Sequence, residues 1–216
     1  MSDQRETPAT TSHTCQQGRY FVLSASHWSD GIGPGLEIAN KKNLLLPGRY
    51  TMEPPNGDAN QYPERPQLVH LPELGGSPRD FEILASIWIV SQALKRVFES
   101  VDPEAFAFTA CDFTRADGSA GPQYYLCNVV RYLDALDEEA SRVRIEYERD
   151  HGTGEDLRFY SISGGASLIF KPSVVGKAHV FRQPRLGVQS ICDREMFEAL
   201  NASNLNGVSL RDAADL

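Results

Sequence analysis

Seven prolines fall within residues 47–78: Pro47, Pro54, Pro55, Pro63, Pro66, Pro72 and Pro78. Proline has no backbone N–H, and its ring clashes with the preceding turn of a helix. No helix of ordinary length survives that spacing, and a strand containing proline belongs at a sheet edge. The span is therefore expected to be irregular coil with at most short edge strands. It should wrap the domain rather than form part of its centre, and separate an N-terminal strand layer from the rest. The chain then divides into three stretches. Residues 1–17 are polar and aperiodic, which predicts a disordered tail. Residues 18–80 hold an N-terminal strand and the proline-rich region. Residues 81–216 should form an α+β domain that packs with 18–80 as one unit.

Outside the proline-rich span the apolar residues come in short runs. "RYFVLSA" (19–25) predicts a strand. "SIWIV" (86–90) is β-branched and aromatic, a second strand. In "SQALKRVFES" (91–100), Leu94, Val97 and Phe98 fall at helical spacing, with Ser91 suited to the N-cap. One long helix over 80–99 is the alternative, since Ser77-Pro78-Arg79-Asp80 also resembles a helix start. "EAFAFTACDF" (104–113) alternates as a half-buried strand. The C-terminal region repeats this order: strand "GVQSI" (187–191), helix 192–203 with Met196, Phe197 and Leu200 inward, and strand "NGVSL" (206–210). Leu94 and Phe98 then correspond to Met196 and Leu200. Between the two units, "QYYLCNVVRYLDAL", "RVRIEYE" (142–148), "LRFYSI" (157–162), "ASLIF" (166–170) and "HVFRQ" (179–183) read as further strands. "SISGGAS" should be the hairpin turn joining 157–162 to 166–170. The predicted fold class is α+β, a mainly antiparallel sheet with two or more packed helices.

Several functions are disfavoured by composition. The 216 residues carry 21 Lys and Arg against 29 Asp and Glu, a net charge of −8. That balance opposes non-specific nucleic-acid binding, which needs clustered cations. No run approaches the ~20 apolar residues of a membrane helix. The N-terminus lacks an apolar signal region, so a cytoplasmic location is expected. Cys15, Cys111, Cys127 and Cys192 lie far apart without a CxxC pair, which predicts reduced, buried thiols and no structural zinc. Gly31, Gly33 and Gly35 are interrupted by Pro34 and lack a following Lys-Ser/Thr, so a turn-rich loop is expected there rather than a phosphate cradle. None of the histidines (His13, His27, His70, His151, His179) has a second His or Cys at ligand spacing. His27 near Asp30 could form an acid–base pair or simply be solvated. No G-x-S-x-G motif is present. No cofactor and no catalytic residue is expected.

The acids are unevenly placed. Asp134, Asp137, Glu138, Glu139, Glu146, Glu148, Asp150, Glu155 and Asp156 face only Arg142, Arg144 and Arg149 over residues 134–156, a balance of −6. Glu146 and Glu148 should point the same way from one strand. With Asp112 they could hold a metal in a small hydrolase, although the expected strand lysine is replaced by Arg149. A solvated acidic face and a surface for a basic partner are the alternatives.

The order of motifs resembles immunity protein family eleven of bacterial polymorphic toxin systems. The resemblance rests on Ser91 before its helix, and on Tyr124, Tyr125 and Asn128 before the Asp134–Asp137 turn. Phe181–Arg182 and Gly207 complete it, over roughly residues 80–212. It implies a non-catalytic protein that binds one cognate toxin, encoded by an adjacent gene and delivered in some systems by type VI secretion. Many such toxins are nucleases with basic clefts, which an acidic face would complement. The toxin-binding candidates are then Asp134, Asp137, Glu138, Glu139, Glu146, Tyr147, Glu148 and Asp150, with Trp28 as a further one. An interaction domain without a toxin partner fits the same composition.

Overall fold

The computed structural model describes residues 17–28, 32–150, 152–187 and 190–216. Of the tail 1–17 only the last residue lies within them, and His13, Cys15, Asp30 and His151 lie outside. In chain order the elements are β1 (Tyr20–Ala25), β2 (Leu36–Ile38), β3 (Gln67–His70), β4 (Phe81–Leu84), β5 (Ile87–Ser91), α1 (Gln92–Val101), β6 (Phe106–Ala110), β7 (Asp112–Thr114), β8 (Tyr124–Val129), β9 (Arg144–Arg149), β10 (Asp156–Ser161), α2 (Pro172–Val175), β11 (Val180–Arg182), β12 (Ser190–Asp193), α3 (Arg194–Ala202) and β13 (Val208–Asp212). Among the described residues the strands form four sheets, ordered β11-β12-β1-β13, β4-β5-β8-β6, β2-β3-β7 and β10-β9. All the strand pairings are antiparallel except β3 with β7, so the class is the α+β expected.

The repeat is deeper than the sequence suggested. In one unit the chain runs β4, β5, α1, β6, and β8 fills the gap between β5 and β6. In the other it runs β11, β12, α3, β13, and β1 fills the corresponding gap. The filling strand follows its unit in the first case and precedes it in the second, a circular permutation of one pattern. Local chemistry matches position by position. The Ser91 N–H donates to the carbonyl of Asp80 at 2.9 Å, and the Asp193 N–H to that of His179 at 2.9 Å. Each helix is capped by the residue before it: Ser91 Oγ accepts from Leu94 N at 3.2 Å and Asp193 Oδ1 from Met196 N at 3.1 Å. Such caps satisfy N–H groups that have no partner within the helix.

The two units also hold each other by their helix ends. Asp102, just past α1, is buried, and its Oδ2 accepts from His179 N at 2.9 Å and Val180 N at 3.0 Å at the start of β11. Arg131 supplies the counter-charge. Reciprocally, Asn206 past α3 donates to Asp80 Oδ2 at 2.9 Å and accepts from Phe81 N at 3.3 Å at the start of β4. Gly207 sits in this clip with φ 88°, and a Cβ there would fall 2.5 Å from the Phe81 carbonyl oxygen.

Residue alternation explains why the strands look apolar throughout. Phe21, Leu23, Trp88, Val90, Cys127, Val129, Val180 and Cys192 enter one core with Leu94, Phe98, Met196 and Leu200 of the helices. Their neighbours face the other way. Tyr20, Val22, Phe181 and Ile191 enter a second core, and Ile87, Ile89, Tyr124 and Leu126 a third. Sheets covered on both faces need continuous apolar runs.

The structure corrects several sequence readings. The proline-rich span does not only wrap: β3 is the middle strand of its sheet, and Met52 and Leu68 enter the third core. Pro66 stands just before β3, where no ladder N–H is lost. The alternative helix over 80–99 is replaced by β4, a two-residue turn and β5. Residues 104–113 break into β6 and β7 in different sheets. Residues 166–170 are buried but form no strand. Their amides bond instead to the Leu216, Arg142 and Ala213 carbonyls and to Ser141 Oγ. The turn at Gly164–Gly165 therefore closes no hairpin, and β10 pairs with β9. Within "GVQSI", residues 188–189 lie outside the described residues.

Candidate functional surface

Strands β9 and β10 form a two-stranded ribbon joined through residues 150–155. The turn is fixed by Asp150, whose Oδ1 accepts from Gly152 N at 2.7 Å and Thr153 N at 3.2 Å. These bonds favour the ionised carboxylate and lower its pKa. Unlike the apolar strands of the double-covered sheets, the ribbon leaves large apolar side chains in solvent. Tyr147 is 67% exposed, Leu157 50% and Ile145 38%. Register places Ile145, Tyr147 and Arg149 on one face with Arg158 and Tyr160, and Glu146 and Glu148 on the other with Leu157 and Phe159.

The base of the ribbon is tied to the acidic turn. Arg158 donates to both oxygens of Glu138, with Nη1 at 2.9 Å, and the Tyr160 hydroxyl donates to the same carboxylate. Tyr160 itself is buried in the second core. The Arg158 and Tyr160 hydrogen bonds hold the Glu138 carboxyl down at about 2. Burial, then the hydrogen bond to Glu138, raises the Tyr160 phenol.

The other acids of 134–156 are engaged to differing degrees. Asp134 Oδ1 accepts from Gln183 Nε2 at 2.8 Å, and the buried Gln183 caps the N–H groups of Ala135 and Leu136. Asp137 accepts from Ala140 N at 3.3 Å. Glu146 pairs with Arg144 at 2.5 Å, and Asp156 with Arg149 at 3.9 Å. Glu139, Glu148 and Glu155 are exposed and have no ion pair among the described residues. The counted charge thus overstates the free charge, because Arg158 from outside the window neutralises Glu138.

Trp28 is held differently. Its indole N–H donates to Glu82 Oε2 at 3.2 Å, and the Arg79 guanidinium lies 4.4 Å over its ring. Arg79 in turn donates to both oxygens of the buried Glu82, at 2.8 and 2.9 Å. Gly76 leaves room for the ring: a Cβ there would come within 2.5 Å of it. The half-buried ring is thus fixed by Glu82, Arg79 and the close approach of Gly76.

The acids of the hydrolase alternative are not assembled. Asp112 is on β7 beside Arg65 at 3.2 Å, while Glu146 and Glu148 are on β9 in another sheet. Among the described residues no three His, Cys, Asp or Glu side chains converge on a metal-sized site. His179 is bound to Asp193 at 2.9 Å. Cys111, Cys127 and Cys192 are free and buried, and burial raises all three thiols, Cys111 to about 12. No helix among the described residues is long and apolar enough to cross a membrane.

The exposed Leu157 was missed in the sequence, where it read as one apolar residue of a strand. The residues that carried the family resemblance have structural work. Ser91 caps α1, Tyr124 Oη donates to the Pro78 carbonyl at 3.2 Å, and Asn128 Nδ2 donates to that of Pro55 at 2.8 Å. Phe181 is core, and Gly207 is the clip glycine. No individually curated protein matches the chain. The model of the immunity protein family Imm11 matches residues 19–215, including the proline-rich span and β1. With nearly the whole chain so matched, it belongs to the Imm11 family of immunity proteins.

Proposed function

We propose that this immunity protein neutralises its toxin by binding alone, through the β9–β10 ribbon and the adjoining turn 134–141. The observation that carries the reading is the exposure of Tyr147, Leu157 and Ile145 on an element flanked by the unpaired carboxylates of Glu139, Glu148 and Glu155. Buried aromatic anchors supply most of the affinity of such interfaces, and charge chiefly sets the association rate. The partner is a toxin encoded by an adjacent gene, with a basic surface such as a nuclease cleft, and delivery by type VI secretion fits this role. Asp134, Asp137 and Asp150 contribute through the shape of the surface, since each accepts hydrogen bonds that fix its own turn. Trp28, held by Glu82 and Arg79 at β4, stands apart from it.

Coexpression with the neighbouring toxin should restore growth and yield a stable complex. The triple variant Glu139→Lys, Glu148→Lys, Glu155→Lys should fold normally and bind about tenfold more slowly at low salt, with a flatter salt dependence. Unchanged association kinetics would remove the acids from the recognition surface.

A further inference from the structure

The ribbon has a backbone property as well as a side-chain one. The Asp150 N–H donates to the Glu155 carbonyl at 2.8 Å, which identifies 150 and 155 as a hydrogen-bonded pair. Such pairs alternate along an antiparallel ladder. The pairs 148/157, 146/159 and 144/161 therefore bond inward. The N–H and C=O groups of Ile145, Tyr147 and Arg149 point away from β10, out of the sheet. The same alternation sends the Tyr160 amide outward on the other edge, where it donates to the Arg185 carbonyl at 2.7 Å. That edge is thus partly covered. The β9 edge is not: among the described residues no backbone group meets 145, 147 or 149 from outside.

Proteins usually blunt a free edge with proline, a bulge or an inward charge. β9 has neither proline nor bulge, and its six residues pair in continuous register. Its charges (Arg144, Glu146, Glu148 and Arg149), which disfavour indiscriminate pairing, stand among the exposed Ile145 and Tyr147. We propose, resting on the toxin-binding reading above, that the outer edge of β9 accepts an extended strand of the toxin as a third strand of the ribbon. The occupant's chemistry follows from the alternation. Opposite Glu146 and Glu148 it carries Lys or Arg; on the other face, opposite Ile145 and Tyr147, it carries apolar or aromatic side chains. A second copy of this chain is the rival occupant, and most of its contacts are the less favourable ones. Antiparallel self-pairing centred on Tyr147 sets Glu146 against Glu148 of the other copy, twice, and like charges directly opposite are destabilising. Only a register centred on Ile145, with Arg144 against Glu146, avoids this, and it leaves Tyr147 opposite Val143 near the strand end rather than in the middle of the ladder.

The test is amide hydrogen exchange on the full chain, free and bound to the inactivated toxin encoded beside its gene. In the free protein the Ile145, Tyr147 and Arg149 amides should exchange quickly and the Glu146 and Glu148 amides more slowly. In the complex the three outward amides should slow by at least tenfold. A complex that leaves them fast overturns the strand addition and spares the toxin-binding reading; absence of any complex overturns both. A free protein that is dimeric with those amides already protected assigns the edge to a second copy and also overturns the proposal. Tyr147→Pro removes one outward N–H without touching the inner ladder, whereas Tyr147→Ala removes only the side chain. The proline variant should bind at least tenfold more weakly than the alanine variant while keeping slow exchange at Glu146. Equal losses, with that protection retained, would count against the edge, and if the proline variant misfolds the exchange data on the native chain decide.

Discussion

The duplicated units and the ribbon handle the same materials in opposite ways. In the units, the inner strands β1, β5, β8 and β12 have apolar neighbours on both faces, each long helix has its cap, and each unit's helix end closes the start of the other's first strand. In the ribbon, apolar side chains stand in water and one backbone edge is unmatched among the described residues. A domain with enough core to fold through its units can leave a small element unsatisfied. Such elements are where a partner's contacts add free energy that folding has not already used.

The strongest way to break this comparison is to cut the shared core. Phe98 and Leu200 are buried at equivalent positions of the two helices. Phe98→Ala or Leu200→Ala should each cost on the order of 2–5 kcal/mol through lost burial and a residual cavity. Tyr147→Ala on the ribbon should change stability by less than about 0.5 kcal/mol. Urea unfolding of the three variants measures this directly. A ribbon variant as destabilised as a core variant would show that the two regions are not energetically distinct.

A second test concerns the reciprocal clip. Asp102 accepts two β11 amides and the Arg131 charge in a buried setting. Asp102→Ala leaves those amides without an acceptor and Arg131 without its main partner. The expected loss is about 3 kcal/mol, from stranding a partly buried charge and its donors. Asn206 engages the start of β4 through its backbone N–H and C=O, so Asn206→Ala should be nearly silent. An Asp102 variant that unfolds at the same urea midpoint as the native chain would show that the clip follows from packing and adds nothing of its own.

This contrast also shows what could be read in the sequence. Helices near 91–100 and 192–203 were legible because Leu94, Phe98, Met196 and Leu200 recur at helical spacing behind a capping residue. The permuted gap-filling by β1 and β8 was not, since it depends on which distant strand enters each gap. β4 was hidden by Glu82, a charge in a strand interior that is tolerated only because Arg79 and Trp28 enclose it. Residues 166–170 looked like a strand because apolar content reports burial, not ladder partners. For the candidate surface, the concentration of acids was accessible; the exposure of Tyr147 was not, because alternation sets it on the face opposite Glu146 and Glu148. The pairing of Glu138 with Arg158 was not, because the contact spans twenty residues and follows from the choice of β9 as partner for β10. With 166–170 as a rival partner for 157–162, the open edge of β9 was invisible as well.

The smallest expected effect lies at the hinge between the two regions, where Glu138 ties the ribbon to the acidic turn. Its folded carboxyl sits at about 2, down from 4.5, because Arg158 and then Tyr160 hydrogen-bond its charged form. The shift is downward, so the unfolded chain binds the proton more readily. The tie contributes fully above about pH 4.5, weakens as the pH falls below that, and is lost once the folded carboxyl protonates near pH 2. The site is exposed, so the global stability should change little. The local signature is sharper. Monitored by NMR between pH 5 and pH 1.5, the Glu138 side chain and the Tyr160 ring should titrate together well below the range of a free glutamate. Glu138→Gln should remove that transition and raise amide exchange along β10 already at neutral pH, without altering the protection of β1 or β5. A Glu138 that titrates near 4.5 would mean that the ribbon is not tied down in solution. The outer edge of β9 would then be presented by a mobile element rather than a fixed one.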